Sequence, residues 1–350
     1  MTDTRADLES LSEFCAAILG AAGADAPSAA AATRAMLHAS SLGVDSHGVR
    51  LLPHYDMVFR GGRLNKTPQM TFERKRAGSG LLDADDAHGA LAAYAAADHA
   101  CDLAREAGIG AVGISRTSHF GPAGAYALAM AQAGMIGIVM CHSDSFVRLH
   151  DGAERFHGTN PIAAAVPTRD GDPWLFDMAT SAVPYNRVQL YKSLGRDLPD
   201  DTASDVNGIN TRDATVVEML APLGGAFGFK GAGLAGLVEI CSGLLTGMKT
   251  SPEILPMGGP DISTPRDMGA FVICIDPDGF VGRGLLLAGM DRYLSALRQS
   301  MPREGKTVMA PGDREWAEAA HRRKAGVPLD PETARAFRRL AQEAGIAVPF

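Results

Sequence analysis

Two histidines stand in settings suited to proton transfer. His119 lies in Ser118-His119-Phe120-Gly121-Pro122, between an apolar run (109–115) and a small-residue helical pattern (122–133). The end of a strand that feeds a helix is where α/β folds present ligands, and the free N–H groups of the helix start favour an anion such as a carboxylate. His47 lies in Val44-Asp45-Ser46-His47-Gly48, between a hydroxyl and a glycine that permits close backbone approach. An imidazole, with an ordinary pKa of about 6.5, gives or takes a proton close to neutrality. The plainer reading of His47 is a loop residue that caps the next helix.

A carboxylate, a serine and a lysine extend the set. Asp177 closes the apolar run Trp174-Leu-Phe-Asp-Met-Ala179. A carboxylate at the end of a buried strand needs a partner, so it either orients a histidine or caps a helix beginning near Ser181. Ser143-Asp144-Ser145 follows the apolar run 135–141 and offers polar atoms to a ribose or phosphate, or simply makes a turn. Gly231-Ala-Gly-Leu-Ala-Gly236 spells G-x-G-x-x-G. The dinucleotide fingerprint, however, requires a strand directly before it and an acid about 20 residues on, ending a second strand. Here Gly228-Phe229-Lys230 precedes it and Glu253 falls in a proline-rich loop. The glycines therefore read as a closely packed helix with Lys230 at its entrance, where an ammonium beside free amides can clamp a phosphate.

Other chemistries find less support. His142, His150 and His157 fit neither a helix face nor a strand ladder, and no HExxH or CxxC accompanies them, so no metal site is expected. Five widely spaced cysteines read as reduced thiols rather than a disulfide frame. The net charge of −7 lacks the basic footprint of a nucleic-acid binder. No apolar run is read as approaching the roughly 18 residues of a membrane span, and the first residues show no signal-peptide core. A cytoplasmic protein with neither membrane nor nucleic acid as partner is expected.

The elements that must position these groups fall in two grammars. Residues 5–22, 27–42 and 50–60 carry helical periodicity, and Gly61-Gly62 ends the third helix. From Pro68 strands (70–77, 79–82, 109–115, 135–141) alternate with helices (89–107, 122–133), a β-α-β rhythm that predicts an α/β core. Further strands are expected at 162–166, 174–178 and 269–275. A helix is expected at 182–194 and a buried helix at 231–248. An irregular stretch (250–266) covers something, and helices close the chain at 282–300, 313–325 and 331–344.

In this order the pieces resemble a known family. The segments are Gly43-Val-Asp-Ser-His-Gly48, Ser118-His-Phe-Gly121, Ala133-Gly-Met-Ile-Gly137, Gly158-Thr-Asn-Pro-Ile162, Phe176-Asp-Met-Ala-Thr180, Pro222-Leu-Gly-Gly225 with Lys230-Gly231, and Pro311-Gly312. Each is short, but together they span nearly the whole chain and resemble the malate/L-lactate dehydrogenase type 2 family. That family also holds ureidoglycolate, sulfolactate and diketogulonate dehydrogenases or reductases, and reductases of the cyclic imine piperideine-2-carboxylate. The resemblance implies an α/β fold with a non-Rossmann nicotinamide-binding mixed sheet, plus a helical domain in which residues 1–67 pack with 300–350. Residues 68–299 would bind NAD or NADP, with an inserted or covering segment near 182–266. A homodimer with its active site between domains is implied.

By position, Ser46, His47 and His119 would line the substrate site, with either histidine as acid/base. Asp177 would support the catalytic histidine or the cofactor. Ser143, Asp177, Met178, Ala179, Thr180, Ser181, Phe229, Lys230, Gly312, Asp313 and Arg314 would hold the dinucleotide, and Tyr55 is placed on the substrate side. Two departures bear on the substrate. The family commonly reads Ser-His-Gly-x-x-Arg, but this chain has Leu51 at that arginine and Arg50 one earlier, about 100° away on a helix. A Pro-x-Gly-Gly loop is replaced by Val147-Arg148-Leu149-His150-Asp151-Gly152, so Arg50 or Arg148 is the candidate cation for a small-molecule carboxylate. The run Cys141-His142-Ser143-Asp144 looks most like the ureidoglycolate branch.

The implied reaction is reversible hydride transfer between nicotinamide and C2 of a small 2-hydroxy or 2-oxo acid of the malate, lactate, ureidoglycolate or sulfolactate type. Reduction of a cyclic imino acid is the alternative. A metal-assisted lyase or hydrolase, and a non-catalytic ligand-binding protein on the same fold, are the readings from other classes.

Overall fold

The computed structural model describes residues 4–350, apart from three side chains of one helix. Its first elements start where short acceptors meet helical periodicity. The Asp7 carboxylate accepts from Ser10 N at the start of α1 (Leu8–Ala21), and Asp25 accepts from Ser28 N at the start of α2 (Ala26–Ser41). Two tight turns, Asp45–His47 and Val49–Leu51, lead into α3 (Leu52–Gly61), which ends at Gly62 in the left-handed conformation. Leu11, Ile18, Leu52 and Phe59 share one apolar core with Val327, Leu329, Phe337 and Leu340 near the other end of the chain.

The larger core surrounds a seven-stranded sheet. Its strands are β1 (Thr71–Arg76), β2 (Ser79–Asp83), β3 (Ile109–Thr117), β4 (Ile136–Cys141), β5 (Ile162–Val166), β6 (Trp174–Met178) and β7 (Met268–Ile275). Their spatial order is β1-β2-β3-β7-β4-β5-β6. Only β2 and β3 pair in parallel; β7 runs antiparallel to both its neighbours. The β-α-β rhythm thus gives a mixed sheet, because the last strand in sequence enters between β3 and β4.

Helices α4 (Gly89–Ala107) and α5 (Ala123–Gln132) cover one face. Alanine lines the inner side of α4, and Gly110 on β3 lets it settle: a Cβ there would overlap the Ala100 carbonyl oxygen. Gly113, of opposite parity on the same strand, faces Thr246 just beyond α7 (Phe229–Ser242). Helix α7 therefore lies on the other face. A satellite core under a small four-stranded sheet gathers Val147, Val188, Leu198, Ala203 and Leu220; the chain reaches it through α6 (Tyr185–Leu194). The last helices are α8 (Arg283–Arg298), α9 (Asp313–Ala325) and α10 (Pro331–Ala344).

Four expectations change. The helix at 182–194 begins at Tyr185, after Pro184. Helix α7 starts at Phe229, so Lys230 lies in its first turn rather than in a preceding loop. It also ends at Ser242 and is not buried all round: Leu234, Leu237 and Ile240 are exposed, as are Leu244 and Leu245 in the turn that follows. The segment Phe229–Thr246 is, by length and composition, apolar enough to cross a membrane, contrary to the reading that no run came close. Its Glu239 is instead buried, accepting hydrogen bonds from Asn160 and Ser251.

Candidate active site

The turn that carries His47 is anchored at both ends. Arg322 of α9, buried, pairs with the Asp45 carboxylate and also donates to the Ser40 carbonyl oxygen. On the other side Val49 N donates to Ser40 Oγ at 2.9 Å, and Gly48 leaves no room for a Cβ against that same hydroxyl. Ser46 Oγ then lies 2.9 Å from His47 Nδ1.

His119 follows β3 in a loop pinned on each side of it. Ser118 Oγ accepts from Gly89 N at 3.0 Å and donates to the Ala87 carbonyl at 3.1 Å, tying the loop to the start of α4. The Tyr126 hydroxyl donates to the Phe120 carbonyl oxygen. Gly121 takes a left-handed φ of 73° and passes under the Tyr55 hydroxyl. That hydroxyl is 2.9 Å from His119 Nδ1. Tyr55 itself is 2% exposed and stands edge-on to His88 at 4.3 Å between ring centroids. The loop and the turn bring the rings of His47 and His119 to 5.9 Å, only 18° from parallel. Each ring has Nδ1 held by a hydroxyl and keeps an accessible side.

The electrostatics favour neutral imidazoles. Burial, reinforced by His47, His54, Arg266 and His88, holds His119 well below its ordinary value. Burial also lowers His47. His54 falls to about 4 through burial and the nearby Arg266 and Arg63. Arg266, 2% exposed, donates from Nε to the Leu255 carbonyl at 2.8 Å and pairs with Asp144. Arg63 donates to the Met257 carbonyl at 2.9 Å and to Asp261 O. The irregular stretch 254–266 is thus strapped down by two arginines, and the charge of Arg266 reaches His119. Sequence reasoning missed both; the only available signal was an arginine at the end of a proline-rich loop.

The expected cations are committed elsewhere. Arg50 faces α10, 3.9 Å from Asp330 and 3.7 Å from Glu332, as its one-residue offset from position 51 requires. Arg148, buried, donates to Asn210 Oδ1 at 2.6 Å and to the Leu149 carbonyl at 3.0 Å. Arg266, not either of these, is the arginine whose charge acts on His119. Tyr55 is buried behind His119 rather than open to solvent. Asp177 bonds neither histidine and does not cap a helix near Ser181; its Oδ2 accepts from Gly124 N at 2.8 Å, in the first turn of α5. One side of its carboxylate remains open, yet the surrounding protein raises it to about 6 through desolvation, against the pull of that N–H.

The residues expected to hold a dinucleotide form a connected strip. Ser143 N donates to Asn160 Oδ1, Asn160 Nδ2 donates to the Ala235 carbonyl of α7, and Thr180 Oγ1 donates to the Asn160 carbonyl at 3.1 Å. Ser181 bridges to Pro222, and Leu223 N reaches the Thr180 carbonyl at 2.9 Å. Gly231 packs against Leu223 without space for a side chain. Helix α7 has no side-chain cap, and its first turn carries Lys230, exposed and 5.2 Å above the Phe227 ring. Uncapped amides beside an ammonium fit a phosphate. Gly312, in the left-handed region, backs onto Leu175 of β6, and Asp313 pairs with Arg298. Met178 and Ala179 continue from Asp177 and are half-buried. Arg314 is exposed and paired with Glu315, whose charge helps raise Asp177.

Known proteins resemble this chain. The malate/L-lactate dehydrogenase family model matches residues 6–338. The chain is 33% identical over 285 residues to the NAD(+) ureidoglycolate dehydrogenase of Escherichia coli K12, covering 81% of this chain and 80% of that one. It is 33% identical to the NADP(+)-dependent (2R)-3-sulfolactate dehydrogenase of Chromohalobacter salexigens, over 86% of this chain and 87% of the other. Among solved structures, the malate dehydrogenase of Entamoeba histolytica superposes with a TM-score of 0.93 at 26% identity, over 99% of both chains. The chain belongs to the malate/L-lactate dehydrogenase family and is an NAD- or NADP-dependent hydroxy-acid oxidoreductase.

Proposed function

We propose that His119 is the proton carrier in reversible oxidation of a small 2-hydroxy acid at C2, with His47 and Ser46 completing the substrate's polar contacts. The dinucleotide, held by Ser143, Asp177 to Ser181, Lys230 and Gly312 to Arg314, supplies or accepts the hydride. The observation that carries the assignment is the 2.9 Å contact between Tyr55 and His119 Nδ1. A hydroxyl both donates and accepts, so Tyr55 can hold Nδ1 whether or not the ring is charged. Nε2 is then left to take the alcohol proton in oxidation and to return it in reduction. The His47 ring is held by its sequence neighbour Ser46, a weaker constraint on ring orientation.

One buried arginine supports an anionic substrate. The charge of Arg266 acts on the neutral His119 and favours a carboxylate beside it. A bound carboxylate in turn raises the His119 pKa and readies it for the proton. A second copy of the chain is the assembly that would cover the apolar face of α7, giving a homodimer, and the free thiols suit the cytoplasm.

The test is a panel of 2-oxo acids (malate, lactate, ureidoglycolate and sulfolactate types) and cyclic imino acids, with NADH and NADPH followed optically. Reduction of at least one 2-oxo acid is expected. His119→Ala should cut turnover about 100-fold or more, and His47→Ala should raise KM more than it lowers kcat. Turnover confined to cyclic imines would overturn the hydroxy-acid reading, and near-normal kcat in His119→Ala would overturn the assignment of the proton carrier.

A further inference from the structure

Two of the five cysteines meet in the core. Cys101 on α4 and Cys274 on β7 have their Sγ atoms 3.5 Å apart, and Met135 Sδ lies 3.2 Å from Cys274 Sγ. The approach follows from glycine. Cys274 pairs across the ladder with Gly110 on one side and Gly137 on the other. A Cβ at Gly110 would overlap the Ala100 carbonyl, and one at Gly137 would come 2.7 Å from the Ala127 carbonyl. Without those side chains α4 and α5 settle onto the sheet, and Cys274 lies in the trough between them. From outside, a groove of about 210 Å³ runs between the two helices, walled by Ala97, Asp98, Cys101, Arg105, Ala129 and Met130. Cys101 is thus reached from solvent, while Cys274, fully buried, waits behind it.

We propose that Cys101 and Cys274 are a redox-modification site, in which a peroxide entering the groove converts the pair to a disulfide that staples α4 to the central strand. The Cys101 thiolate attacks a peroxide oxygen: an S–O bond forms, the O–O bond breaks, and the departing hydroxide takes a proton to become water. The Cys274 sulfur then attacks the Cys101 sulfur; the S–S bond forms, the S–O bond breaks, and the hydroxyl leaves with the Cys274 proton as a second water. The two thiols together lose two electrons, and the peroxide gains them. Access sets the order of attack: Cys101 lines the groove, whereas Cys274 is fully buried behind it. The sulfurs must close from 3.5 Å to roughly 2.05 Å, a movement that the small inner side chains of α4 allow.

The full-length folded chain, treated with hydrogen peroxide at neutral pH and then alkylated after unfolding, tests this. Expected are a mass loss of about 2 Da, one non-reduced peptide linking Cys101 to Cys274, and alkylation of only the other three of the five cysteines, all reversed by dithiothreitol. In Cys274→Ala, Cys101 should stop as a sulfenic acid, about 16 Da heavier and trapped by dimedone. Alkylation of all five thiols after peroxide, or a linkage that runs through half-buried Cys241 instead, would overturn the proposal in the wild-type chain, whether or not the variant folds.

Discussion

Tyr55 and His119 stand 64 positions apart in sequence and 2.9 Å apart in space. Phenylalanine at 55 keeps the ring packed against His88 but leaves Nδ1 of His119 without its partner. Losing a buried hydrogen bond costs about 1–3 kcal/mol, and here the loss falls on ring orientation. Tyr55→Phe should therefore lower kcat about tenfold or more with KM little changed; a pure KM effect, read from steady-state kinetics, would return Tyr55 to the substrate side. The position of His119 at a strand-to-helix junction was legible from local pattern. Its partner was not, because periodicity reports which face is buried and not which distant residue meets it. The same holds for Arg266 and Arg322, whose charges look like surface charges until the fold brings Asp144 and Asp45 to them.

Elements with strong punctuation could be read to the residue. Helix α4 spans 89–107 because an alanine-rich period runs from the His88 cap to Gly108, and α10 spans 331–344 between an Asp330–Pro331 start and Gly345. Strands β5 and β6 were equally clear. Helix α7 was misread, since its apolar residues go all the way round and cannot distinguish burial against the sheet from an unpartnered face. Its uncapped first turn makes Lys230 an element-scale prediction. Lys230→Ala should weaken dinucleotide binding about tenfold or more and leave kcat at saturating cofactor nearly unchanged, as fluorescence titration would show. Unaltered affinity would argue against a phosphate at this helix start.

At the scale of the molecule, the depressed histidines should govern acid stability. His88 is 1% exposed and falls to about 3 through burial and the nearby His54, so the folded state cannot take the proton that the unfolded chain binds below about 6.5. Stability is fully present above that value and is lost as pH falls towards about 3. His38, His47, His54, His119 and His157 are lowered too and add in the same direction. Asp177, raised to about 6, and Asp86, also raised, act oppositely, but they are two groups against six depressed histidines. Melting temperature should drop steadily between pH 6.5 and 4, and a flat profile would contradict the burial of these rings. Mass measurement in solution should give a dimer, reduced to monomer by Leu237→Lys together with Ile240→Lys; a wild-type monomer would leave the apolar face of α7 to another partner. The placement of β7 has a consequence in time rather than in space. Residues 268–275 fill the middle of a sheet whose other strands end by residue 178. A ribosome must therefore add about 90 residues after β6 before β3 and β4 gain their shared neighbour. During that interval each presents an open apolar edge, the kind that pairs with the wrong chain. The nascent protein is thus most vulnerable while it already holds every strand of the sheet but one.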